Sequence, residues 1–294
     1  MGEKNDRYLM RAAYYGEFLL DKDDRNIEDV CHKRGKIKVS SDKDVNPYQP
    51  DNIPLFEVLY GKHLISLGGF SAIDNMFSGL SIQNKKALDI GFGLGGVAFY
   101  LAEKYQMHIC GVEIHEWMAQ HAKEQTPEQL RNRLDFCVYD QQGNISFAEN
   151  GFDLAYSKGV LNHVHDKLPL FKNIYFRLKK DGYFVIADWV YPEMEKFKSR
   201  PLVKESENSY IEVLQKAGFS DIKLRNDSKL FITYVELFLN NLAIQRHFIE
   251  RNFGKELFTT IQKDHITMLE DIKQGQKIAV RIVVQKKYTT VFNL

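Results

Sequence analysis

Apolar side chains recur at helical spacing in "RYLMRAAYYGEFLL", residues 7–20, and predict a short amphipathic helix. The following stretch, "DKDDRNIEDVCHKRGKIKVSSDKDVNPYQPDNIP", is dense in charge, poor in large apolar residues and closes with three prolines, the composition of a loop. From about Leu55 a regular alternation sets in. Helical spacing covers 53–60 and 70–79, then a strand 86–90, a helix 95–105, a strand 107–113 and a helix 115–124. Strands over 134–139 and 152–157, a helix over 166–179, a strand over 182–189, a helix over 207–217 and a strand near 221–226 complete the series. Strands that alternate with helices predict a mostly parallel sheet covered on both faces, an α/β fold. Two more helical patterns, 229–250 and 254–272, precede the β-branched run "QKIAVRIVVQKKY", which is placed to join the sheet edge antiparallel. No internal repeat or low-complexity tract interrupts the pattern.

Composition narrows the functional classes. With 294 residues, 44% hydrophobic, the chain is long enough for one large core or a domain with a cap. Lys and Arg number 40 against 39 Asp and Glu, a net charge of +1, so bulk electrostatics favours neither nucleic acid nor an anionic membrane as partner. Cys31, Cys110 and Cys137 are scattered without a CxxC pair, so neither a disulfide framework nor a metal site is expected. The opening "MGEKNDRYLM" has no apolar signal core and no run reaches membrane-spanning length, which together predict a cytoplasmic protein.

The chemistry gathers at "KKALDIGFGLGGVAFYLAEKY", where a strand runs through glycines into a helix. Gly91, Gly93 and Gly96 satisfy G-x-G-x-x-G, and Gly95 adds a fourth glycine to the turn. Such a turn lets the backbone approach a ligand closely, whether a dinucleotide diphosphate or an adenosyl group without phosphate. Asp89 stands two residues before the first glycine, at the end of the strand. A carboxylate there repels a diphosphate and suits the ammonium of S-adenosylmethionine. An NAD(P)-dependent oxidoreductase is the competing reading, and Asp89 weighs against it. Glu113 ends the second strand, placed to accept ribose hydroxyls, and Asp140 ends the third, placed to accept from an adenine amino group.

This series, "LDIGFGLGG", the two later strand-end acids, and "GFDLAYSKGVLNHVHDK" ahead of "LKKDGYFVIAD", resembles the motifs of class I S-adenosylmethionine-dependent methyltransferases. The resemblance implies a Rossmann-like sheet of about seven strands with the last antiparallel, plus a helical cap. It divides the chain into an N-terminal helix and loop over 1–50, a cofactor-binding core over 51–228, a cap insertion over 229–274 and a final strand and tail over 275–294. The candidate cofactor-binding residues are Ile65, Ser66, Asp89, Gly91, Gly93, Gly95, Glu113, Ile114, Asp140, Gln141 and Ser157. Within the superfamily the chain is most similar to phosphoethanolamine methyltransferases, through "YQPDNIPLFEVLYGKHLISLGG". In that family a Tyr before the "ISxGG" segment and a His after the "YS" motif flank the acceptor amine as a catalytic pair. These positions fall on Tyr48 and His163.

A small-molecule acceptor, an amine, follows from the resemblance, with no metal and no nucleic-acid or membrane partner. His titrates in the range useful for taking a proton from an ammonium, and Tyr48 can close the pocket over the methyl. His165, two residues on, ranks below His163. Trp189 is a candidate aromatic wall for a cation, and Arg200 aligns with a phosphate-binding Arg of the family. Three departures stand out: Lys158-Gly159 follows "YS" where the family has Arg-Asp, Leu202 replaces a Tyr, and a C-terminal phosphate-binding Lys has only Lys263 and His265 as counterparts. Gly159 therefore belongs among the acceptor-side candidates, and a different acceptor for O-, C- or N-methylation is the alternative.

Overall fold

The computed structural model describes residues 48–139, 145, 147–192 and 205–287. The helix expected over 7–20 and the loop after it as far as residue 47 lie outside the described residues, as do Asp140, Gln141, Arg200 and Leu202.

The chain enters through a 3₁₀ turn, Pro50–Asn52, and two helices, α1 (Ile53–Tyr60) and α2 (Gly69–Phe77). There follow β1 (Lys86–Ile90), α3 (Gly96–Lys104), β2 (His108–Glu113), α4 (Glu116–Gln125), β3 (Leu134–Val138) and β4 (Phe152–Lys158). After a 3₁₀ turn at Leu161–His163 come α5 (Lys167–Arg177), β5 (Leu178–Val190), α6 (Glu207–Lys216) and β6 (Ser220–Asn226). Three helices, α7 (Ser228–Ile244), α8 (Arg246–Phe253) and α9 (Lys255–Lys273), lead into β7 (Ile278–Gln285).

The seven strands form one sheet in the order β3-β2-β1-β4-β5-β7-β6. β7 runs antiparallel to both its neighbours, and the other strands are parallel. The final strand enters one place in from the edge expected for it. Burial explains why. β7 buries Ala279, Val280, Ile282, Val283 and Val284, a run apolar on both faces that must be covered on both sides. β6, "SDIKLRN", alternates charged and apolar residues and tolerates the edge.

Successive residues of each strand serve opposite faces. Ala87, Ile109, Phe136, Leu154 and Val185 pack with α2, α3 and α4. Leu88, Ile90, Val112, Phe184 and Ile186 pack with α5 and α6. A third apolar cluster joins α1 to α7, α8 and α9 through Leu55, Leu59, Val235, Phe238, Ile249 and Phe258. Among the described residues no helix is long and apolar enough to cross a membrane. In this strand order the direction of winding reverses between β1 and β4, so the carboxyl ends of those strands open a crevice where α/β folds bind ligands.

Candidate active site

The crevice is built on the turn between β1 and α3. Gly91, Gly93 and Gly95 have φ of 76°, 57° and 91°, the left-handed region in which glycine is unstrained. The turn is also covered closely. A methyl group at Gly93 would stand 2.6 Å from Ile65 Cδ1, and one at Gly96 would stand 2.5 Å from the His63 carbonyl oxygen. The Gly96 N–H donates to that same carbonyl at 3.1 Å. The segment 61–68 is thereby pinned over the start of α3, and Ile65 and Ser66 are brought to the glycine turn.

Asp89, at the end of β1, is buried, and the Tyr156 hydroxyl donates to its Oδ2 at 2.8 Å. The two residues are register partners in neighbouring parallel strands, so their side chains rise from the same face. Burial pushes the Asp89 carboxyl up to about 8; the nearby Glu113 adds to the rise and the Tyr156 hydrogen bond opposes it. An ionised Asp89 therefore needs a cation beside it.

Glu113 is buried at the end of β2. Its Oε2 accepts from the Gly93 N–H at 3.0 Å, and its Oε1 accepts from the N–H groups of Ile114 and His115 at 2.8 and 3.1 Å. Oε2 has one partner and so retains capacity for a ligand hydroxyl. Ile114 beside it leaves 56% of its surface exposed. Ser157 faces elsewhere: its hydroxyl is buried and donates to the Ile90 carbonyl at 3.0 Å, a cross-strand brace between β4 and β1.

Tyr48 and His163, the two residues that the resemblance pairs, lie side by side. Their ring centroids lie 6.0 Å apart at 80°, an edge-to-face contact. Tyr48 also lies 5.9 Å from the His115 ring and 6.2 Å from Phe56. His163 ends the 3₁₀ turn after β4, and desolvation, reinforced by His115, lowers its pKa from 6.5. The turn is held from below by Lys167, whose buried ammonium donates to the Val164 carbonyl at 2.8 Å and to Glu205 at 3.0 Å. Lys158, at the end of β4, donates to the Ser66 hydroxyl and to the Leu67 carbonyl, and burial lowers its pKa to about 8. Gly159 has φ of 70°, and a methyl group placed on it would meet no heavy atom within 4 Å.

Two candidates stand apart from this group. Trp189 packs edge-on against Phe231 at 5.0 Å, and the Lys277 ammonium lies 4.4 Å from its ring centroid, so one aromatic face already carries a cation. His265 is buried in α9, stacked on Phe238 at 3.9 Å with its Nδ1 2.8 Å from the Ile261 carbonyl. Reading the sequence missed His115, Tyr156 and Lys167. The pairing of Asp89 with Tyr156 follows once the β1–β4 register is known; the contacts of His115 with Tyr48 and of Lys167 with Glu205 join segments distant in the chain, which no local pattern marks.

The family described as "Methyltransferase domain" matches residues 82–274. A phosphoethanolamine N-methyltransferase of Triticum aestivum is 27% identical over 290 residues, covering 94% of this chain and 57% of the wheat protein. The chain thus spans a little over half the length of the plant relatives it matches. The phosphoethanolamine N-methyltransferase of Plasmodium falciparum is 27% identical over 240 residues, 78% of this chain and 89% of that protein. Among solved structures, Haemonchus contortus phosphoethanolamine N-methyltransferase 2, in complex with phosphomonomethylethanolamine and S-adenosylhomocysteine, superposes with a TM-score of 0.75 at 22% identity. The overlap covers 84% of this chain and 60% of that one. With the family match spanning roughly two thirds of its length and the sheet order, glycine turn and strand-end acids in agreement, the chain belongs to the S-adenosylmethionine-dependent methyltransferases.

Proposed function

We propose that this protein methylates the amine of a small-molecule acceptor, with S-adenosylmethionine as donor. The observation that carries the reading is the Tyr48–His163 pair, edge-on at 6.0 Å and linked through His115 to the strand-end acid Glu113. The cofactor fits the residues present: Asp89 offers a buried carboxylate that gains from an ammonium partner, Glu113 retains an acceptor for the ribose, and the glycine turn admits backbone approach. When bound, S-adenosylmethionine supplies an electrophilic methyl on a leaving group that needs no acid catalyst.

The chain's own contribution is position and a proton acceptor. An alkylammonium has no lone pair, so its proton must leave before nitrogen attacks. His163 is suited to take it because desolvation keeps the imidazole neutral near pH 7. Tyr48 confines the amine against His163 and shields the transfer from water. Orientation of this kind is worth ~7–11 kcal/mol in well-ordered systems.

A second reading rests on Gly159. The space beside it and the lack of a carboxylate at that position favour an acceptor bulkier than ethanolamine phosphate, or one without a cationic amine. Incubation with methyl-labelled S-adenosylmethionine and a panel of phosphoethanolamine, ethanolamine, larger primary and secondary amines, phenols and acidic carbon nucleophiles separates the two. Label on an amine supports the first reading. Label only on oxygen or carbon acceptors, with amines untouched, defeats it.

A further inference from the structure

His115 follows the ribose-side acid by two residues and belongs to neither the strand nor the helix; it sits at the N-cap of α4. Its side chain makes no capping hydrogen bond to the helix. Instead its Nδ1 lies 3.0 Å from Glu113 Oε1, and its ring lies 5.9 Å from Tyr48, which also lies 6.0 Å from His163. Tyr48 is thus in ring contact with two imidazoles, one bonded to the buried carboxylate and the other the proposed base. Trp117 lies 6.5 Å from the His115 ring.

We propose that His115 is a positioning residue that joins the two halves of the site, holding Tyr48 against His163 while its ring nitrogen secures Glu113. The assignment rests on the reading of His163 as the proton acceptor. Electrostatics supports it. The hydrogen bond that the ring donates to Glu113 raises the His115 pKa, so the ring carries positive charge at a pH where an isolated imidazole would begin to lose it. That charge in turn disfavours protonation of His163. The titratable groups acting on the two imidazoles are Glu113, Tyr48 and each other. A cofactor-side residue thereby sets both the orientation and the charge state of the acceptor side.

His115→Gln keeps a side-chain donor for Glu113 and removes the charge, and His115→Lys restores a charge without the ring. NMR titration of the His163 imidazole, assigned with His163→Gln, reads the coupling without any need for turnover. The expected result is a His163 titration moved upward by on the order of half a pH unit in His115→Gln. The acidic limb of kcat/KM should move with it, and His115→Lys should return both toward the wild-type position. A residue that merely braces the fold would lower the melting temperature and leave the His163 titration in place, and that outcome overturns the proposal. Ring-proton contacts from Tyr48 to both imidazoles in the wild-type protein give a check that needs no variant, and their absence also overturns it. A shifted His163 titration in a protein that transfers no methyl group would sink the reading of function while supporting the coupling.

Discussion

Asp89→Asn separates the cost of the site from its use. In the wild-type protein the Asp89 carboxyl is raised by burial from its ordinary 3.8 to about 8, so ionising it in the fold is unfavourable. The sign follows directly. A carboxyl whose folded pKa exceeds its unfolded one contributes nothing adverse below about 3.8, and its penalty grows as pH rises, levelling off above about 8. The span between the two values, at ~1.4 kcal/mol per pH unit, sets a ceiling of about 6 kcal/mol. Asn is nearly isosteric and its carbonyl still accepts from the Tyr156 hydroxyl, but that bond loses its charge assistance, and local relaxation removes more of the ceiling. We expect the variant to be ~1–3 kcal/mol more stable than wild type at pH 8 without ligand, a rise of roughly 2–5 °C in Tm. The advantage should shrink as pH falls toward 4. Thermal scans from pH 4 to 9, with and without S-adenosylhomocysteine, read both halves. At a hundredfold excess over Kd, ligand should stabilise the wild type by about 2.7 kcal/mol and the variant by little. A variant less stable than wild type at pH 8, or one that gains as much from ligand, refutes the assignment of Asp89 to the cofactor's ammonium.

His163→Gln should lower kcat by about 10²-fold or more while S-adenosylhomocysteine affinity, measured by calorimetry, stays within a few-fold of wild type. Because desolvation lowers the His163 pKa, the base is lost only as pH falls below the ordinary histidine range, and kcat/KM should decline there in wild type and lose that limb in the variant. Gly96→Ala sets a methyl 2.5 Å from the His63 carbonyl, so the 61–68 segment must move; a loss of ~1–3 kcal/mol in chemical denaturation, with weakened cofactor-product binding, is expected. Lys167→Met leaves the half-buried Glu205 with the Ser209 hydroxyl but no cation, and frees the Val164 carbonyl, which should cost ~2–3 kcal/mol in stability and reduce kcat by loosening the His163 turn.

Local periodicity carried the fold a long way. β1 occupies the expected 86–90, and α6, α9 and β6 fall within a residue or two of their sequence-derived limits. The misses have physical causes. Helicity expected over 229–250 breaks at Gln245, which takes φ −83° and ψ 5° between α7 and α8; no Gly or Pro marks the break. β5 begins at Leu178, earlier than "LKKDG" implies, because Leu178 pairs with Phe152 across an irregular register. The place of β7 inside the sheet is a tertiary matter, settled by which strand can bury both faces. The site divides in the same way. Asp89, Glu113 and the glycines were legible because strand ends and turns are written in consecutive residues. His115 meets Tyr48, and Lys167 meets Glu205, only through folding, and their short-range bonds to Glu113 and Val164 do not distinguish them from an ordinary loop histidine or a helix-start lysine.

Titration calorimetry of the purified chain with S-adenosylhomocysteine, and in parallel with NADH, meets the central claim head on. One-to-one binding of the thioether, weakened by Asp89→Ala and by Glu113→Ala, with no heat from NADH, is the predicted outcome. Binding of NADH in its place, or of neither ligand, would contradict the account.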